Sequence, residues 1–85
     1  MGTITLNDGT VLESSYAAET MDCLFLYIRN GMTMMQVFML MFDVNKISEI
    51  TYTAGEATVV YSGYTLVSGI TQEHGGMISV VLRRG

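Results

Sequence analysis

Apolar and polar positions fall into short strand-like runs bounded by turn residues along most of this chain, and one segment departs from that pattern. Residues 32–42 read Met-Thr-Met-Met-Gln-Val-Phe-Met-Leu-Met-Phe, and between positions 34 and 42 only Gln36 is polar. Thr33 is a good N-cap residue, and Gln36 three positions on completes a capping box, in which each side chain answers the other's orphan backbone N–H. Met32 and Val37 stand at the spacing of a hydrophobic staple, and Asp43, Asn45 and Lys46 supply a polar exit. The pattern predicts one helix. A helix that is apolar all round has to be covered on most sides, so strands must wrap it or a second chain must cover it. In helical projection 34, 38 and 41 share one face, and 35, 39 and 42 share a neighbouring one. One face is expected to be core. The other, with Met35, Met39 and Phe42, is expected to meet another subunit or a partner.

The rest reads as short strands. Residues 3–6 alternate, Asn7-Asp8-Gly9 turns the chain, and residues 10–13 resume it. Asp-Gly between two β-type runs predicts a hairpin. Residues 17–22 have no clear period and read as a connection with at most one helical turn. Residues 23–29, Cys-Leu-Phe-Leu-Tyr-Ile-Arg, form an unbroken apolar run of strand length, expected to be buried on both faces against the helix. After the helix come residues 47–53, a turn at Ala54-Gly55-Glu56, and a return over 57–61. Ser62-Gly63 breaks that run before residues 64–70, and a glycine inside such a pattern marks a bulge or corner. A loop at 72–76 leads to the last strand, 77–83. The expectation is an α+β fold of one domain, residues 1–85: a bent antiparallel sheet or small open barrel. It has six to seven strands in the order β-β-β-α-β-β-β, packed on one helix.

Composition sharpens this picture. Apolar residues make up 49% of 85 residues and charged residues 14%, more apolar than a small monomer comfortably hides. The eight acids are scattered and the net charge is −4, with four basic residues in all. Phosphate neutralisation needs clustered Lys and Arg, so no nucleic acid is expected as a partner. No apolar run approaches 20 residues, so no membrane span is expected. The opening Met-Gly-Thr-Ile lacks the basic and apolar regions of a secretion signal, and Leu6 stands where a myristoylation motif needs Ser or Thr. A single cysteine, Cys23, excludes an intramolecular disulfide framework and points to a reducing compartment.

Chemistry-bearing residues are sparse. His74 is the only histidine, in a glycine-rich loop without a local ligand set. Cys23 opens an apolar strand, where a free cysteine behaves as a small hydrophobe. It becomes a nucleophile only if His74 approaches it in space. The glycines form neither a phosphate-cradling loop nor a dinucleotide fingerprint. No catalytic, metal or cofactor residues are therefore assigned. Tyrosine is favoured at interfaces, where its ring is buried and its hydroxyl stays wet. Tyr61 and Tyr64, flanking the Ser62-Gly63 break, are the interface candidates beside Met35, Met39 and Phe42.

The opening Ile4-Thr5-Leu6-Asn7-Asp8-Gly9-Thr10-Val11-Leu12, the Gly31-Met32-Thr33 helix entry and the Gly63-Tyr64-Thr65 segment resemble small accessory proteins encoded in bacteriophage and prophage genomes. The resemblance implies a binding role without enzymatic activity, and it carries no site residues over. The expected function is a phage-type binding or assembly protein, acting as a homo-oligomer or as a subunit of a larger complex. Its setting would be the host cytoplasm or the phage particle. The alternative is an inhibitor of a bacterial defence system that blocks a host enzyme or sequesters a small signalling ligand.

Overall fold

The computed structural model describes residues 2–84, and the side chains of Leu66 and His74 lie outside that description. Seven strands form one antiparallel sheet: β1 Gly2–Thr5, β2 Val11–Thr20, β3 Cys23–Ile28, β4 Glu49–Ala54, β5 Ala57–Ser62, β6 Tyr64–Gln72 and β7 Ile78–Arg84. Two short helices, α1 Met34–Met41 and α2 Val44–Ile47, stand between β3 and β4. The strand order is β5-β4-β1-β2-β3-β7-β6, every neighbouring pair antiparallel.

That order forces the sheet to curl. β5 and β6 are its two outer strands, yet only Gly63 separates them in sequence. A flat sheet would hold them six strand spacings apart, roughly 29 Å. Two residues of chain reach about 7 Å. The two ends of the sheet therefore meet at the Gly63 corner, where φ is 84°, a value that glycine adopts without steric cost.

The concave face carries the core. Leu24, Leu26 and Ile28 of β3 and Ile78, Val80 and Leu82 of β7 are buried and alternate with half-exposed neighbours. Ile4, Leu12, Ala17, Ile50 and Tyr64 join them from the other strands. Val37 and Met41 of α1 and Ile47 of α2 add the helical share. The capping box is present: Gln36 N–H donates to Thr33 Oγ1 at 3.1 Å, and Thr33 N–H donates to Gln36 Oε1 at 2.9 Å. The Asp8-Gly9 turn joins β1 to β2, closed by Leu6 N–H to the Thr10 carbonyl at 2.8 Å.

Several expectations need correction. Residues 17–20 are not a connection but the continuation of β2, and the hairpin to β3 turns at Met21 and Asp22. The strand after the second hairpin is a full member, so four strands follow the helical segment, and α2 is a second helix. Asp43 starts α2 as well as ending α1, since its carboxylate accepts from Asn45 N–H at 3.0 Å. β3 is buried on one face only, and α1 lies next to α2 and β6.

Candidate functional site

α1 is not wrapped. Val37 and Met41 are its only fully buried residues, with Leu40 partly buried beside them. On the far side Met35, Phe38, Met39 and Phe42 stand at the i, i+3, i+4, i+7 spacing that aligns side chains on one helix face. Met35 is 69% exposed, Met39 68% and Phe42 57%. Phe38 and Phe42 stack one turn apart, with centroids 4.1 Å apart and planes tilted by 33°. Met34, Met35 and Phe38 line an open apolar cleft of about 230 Å³, and Val44 extends the exposed apolar surface onto α2. The sequence spacing puts Met35, Met39 and Phe42 together on one face and Phe38 on the other; the docking of Val37 and Met41 sets the core direction and leaves all four exposed.

No charged residue interrupts this stripe. Contiguous exposed apolar surface on a small protein marks a place where another surface sits. Methionine suits such a surface, because its unbranched chain adapts to what it meets.

The tyrosine candidates divide. Tyr64 is not an outward anchor, as expected from its position beside the break; it is fully buried. Residue 64 follows the Gly63 corner directly, and its ring turns into the closing seam of the sheet. There its hydroxyl donates to Glu19 Oε2, and Arg84 donates to the same oxygen at 3.2 Å. The Arg84 guanidinium lies 5.1 Å from the Tyr64 ring centroid. Burial, reinforced by the Glu19 hydrogen bond and charge, pushes the Tyr64 hydroxyl up to about 12. Glu19 and Arg84 are 45 and 20 residues from Tyr64 in sequence, so no local pattern announced the cluster. Tyr61 is half-buried against the core, its hydroxyl pKa raised by burial and by the Glu19 charge. Tyr16 is the exposed tyrosine, packed on Tyr27 at 6.1 Å and edge-on to Tyr52 at 5.6 Å.

Cys23 is a free, half-buried thiol in register with Thr20 and Arg83. The His74 side chain, and with it a pairing of His74 and Cys23, lies outside the described residues. Among the described residues no group of three His, Cys, Asp or Glu has the proximity to hold a metal ion, and no helix is long and apolar enough to cross a membrane.

Fold and surface together define a small antiparallel β protein that carries an uncovered apolar helix face. Compared with protein-family models, with curated proteins and with solved structures, the chain matches none.

Proposed function

We propose that this chain is a small, non-enzymatic binding or assembly protein of phage type, working as a homo-oligomer or as a subunit of a larger complex. One observation carries the reading: the uncharged stripe of Met35, Phe38, Met39 and Phe42, exposed on a helix whose opposite face is core. The curled sheet acts as a small open barrel, and its work is to hold that helix face outward. The mechanism is surface complementarity, with Met and Phe anchors in a dry centre and polar residues around it. Host cytoplasm or an assembling particle is the setting in which such a face finds its partner. Two of the acids, Asp8 and Glu19, are engaged by Lys46 and Arg84, which weighs against an acidic docking face and so against the alternative in which the chain blocks a host enzyme.

The test is absolute mass by light scattering on a size-exclusion column, over a range of concentrations. The wild type should exceed 9.3 kDa, with mass rising as concentration rises. Met35→Glu with Met39→Glu should lower that mass and weaken its rise with concentration without changing the far-UV circular dichroism. A wild type that stays at 9.3 kDa throughout, with no binding partner, overturns the reading.

A further inference from the structure

The sheet has two edge strands, β5 and β6, and they are built differently. The β6 edge is interrupted: its register against β7 shifts between Tyr64 and Leu66 and again between Val67 and Gly69, and both helices pack beside it. Bulges and covering helices are the usual protection of an edge strand. β5 has none of these. Its six residues, Ala-Thr-Val-Val-Tyr-Ser, pair with β4 in unbroken register. They include no charge, and the chain has no proline. All but Tyr61 are exposed, Val59 and Val60 among them.

Backbone geometry says which groups are free. The two-residue turn Gly55-Glu56 makes Ala54 and Ala57 a hydrogen-bonded pair, so Ala57, Val59 and Tyr61 bond towards β4. The N–H and C=O groups of Thr58, Val60 and Ser62 therefore point away from the sheet. Among the described residues no strand or turn takes them up.

We infer that β5 is a self-pairing edge: two copies join antiparallel about a two-fold axis through Val60, making one continuous sheet. This rests on the proposal that the chain self-assembles, and it names a second element that serves that assembly beside the α1 stripe. With Val60 opposite its own copy, Thr58 faces Ser62 of the second chain and all three outward residues make paired bonds, six in total by the antiparallel pattern. On the concave face Val59 falls opposite Tyr61 of the other copy, an apolar–aromatic cross-strand pair. The register is self-complementary, and β5 brings no charge to it. Glu56, the acid nearest β5 in sequence, ends at the far side from its own copy. Eight residues of strand separate the two, roughly 27 Å. That is well beyond the screening length of about 8 Å at physiological salt, so the two Glu56 carboxylates do not oppose the contact.

The edge can be blocked without touching the fold. Among the described residues the Val60 N–H serves no bond, and proline is tolerated on an edge strand where its nitrogen faces solvent. Light scattering on wild type, Val60→Pro, Val60→Lys and the Met35→Glu with Met39→Glu variant decides the matter. Amide exchange by NMR accompanies it. The expected result is a wild-type mass of two chains or more, and at least tenfold weaker self-association in both Val60 variants. The Thr58 and Val60 amides should exchange at least tenfold more slowly at high protein concentration than at low. Val60→Lys covers the case in which the proline variant does not fold. Unchanged association in a folded Val60 variant, with loss only in the helix variant, overturns the β5 pairing and leaves the assembly reading standing. A wild-type monomer at every concentration overturns both the pairing and the homo-oligomer reading. Unprotected Thr58 and Val60 amides in a stable oligomer overturn the pairing alone.

Discussion

Removing one oxygen from Tyr64 tests the seam that closes the sheet. Tyr64→Phe keeps the buried ring and deletes the hydroxyl that donates to Glu19. A hydrogen bond to a charged group contributes about 1.5–3 kcal/mol net. The Glu19 side chain is 38% exposed and keeps Arg84 as a partner, so water replaces part of the loss and the low end applies, about 1.5 kcal/mol. A domain of this length has a total stability of roughly 4–13 kcal/mol. The loss is therefore large enough to measure and small enough to leave a folded protein. In thermal unfolding it corresponds to a drop of about 6–12 °C. Urea unfolding of wild type, Tyr64→Phe, Glu19→Gln and the double variant at neutral pH isolates the pair: the double variant should lose clearly less than the sum of the singles. If Tyr64→Phe lies within about 0.5 kcal/mol of wild type, the hydroxyl is not held by Glu19 and the seam has been misread.

The same residue gives an alkaline signature whose sign follows from its titration. Folding raises the Tyr64 pKa from 10 to about 12, chiefly by burial. The fold therefore favours the neutral phenol. This contribution is complete below pH 10 and is lost as pH rises from 10 to about 12, where the unfolded chain has already released the proton. One group changes stability by at most about 1.4 kcal/mol per pH unit in such a window. Tyr61 shifts in the same direction, so the comparison that matters is wild type against Tyr64→Phe. The difference between them should shrink from pH 10 upward and reverse in sign before pH 12.

Two further substitutions check the core and the helix start, beside the helix-face and edge variants described above. Leu26→Ala empties a fully buried position in the middle of β3 and should cost about 3–5 kcal/mol in urea unfolding; Phe25→Ser on the half-exposed face should cost clearly less. Thr33→Ala removes the acceptor for Gln36 N–H and should cost about 1 kcal/mol, with a loss of helical circular dichroism and no change in the β signal.

What could be read from the sequence was what is encoded locally. The capping box needs residues three apart, and the Asp8-Gly9 hairpin needs neighbours, so both were visible. The length of β2 was not, because the strand changes phase within itself. Leu12 faces the core, Ser14 takes φ 53°, and from there Ser15 and Ala17 face inward. The extra residue against β1 is a bulge, and it shifts the alternation by one. A reader counting every second residue meets Ser14 and Tyr16 where the core ought to be and ends the strand. Tyr64 was misplaced for a different reason: Glu19 and Arg84 come to it from β2 and β7 through the closing of the sheet, which no short window contains. The exposed helix stripe was half legible. Its apolar character was plain, but which residues face outward depends on Val37 and Met41 docking on strands that are distant in sequence.

The two uncharged surfaces together limit what can assemble. The α1 stripe and the β5 edge are separate elements of one small protein, and a second copy that pairs β5 with β5 leaves both α1 stripes open. Each self-contact of that kind is isologous: the same patch serves both partners. One such contact used alone ends at a dimer. Both used together give each chain two neighbours. If the two axes meet at right angles, four chains close on themselves; if they do not meet, the copies continue as an open filament. Mass against concentration separates these outcomes, since a closed tetramer levels off at four times 9.3 kDa and a filament does not level off. Val60→Lys and Met35→Glu should each reduce either assembly to dimers. A dimer that survives one substitution and not the other then reports which surface holds it.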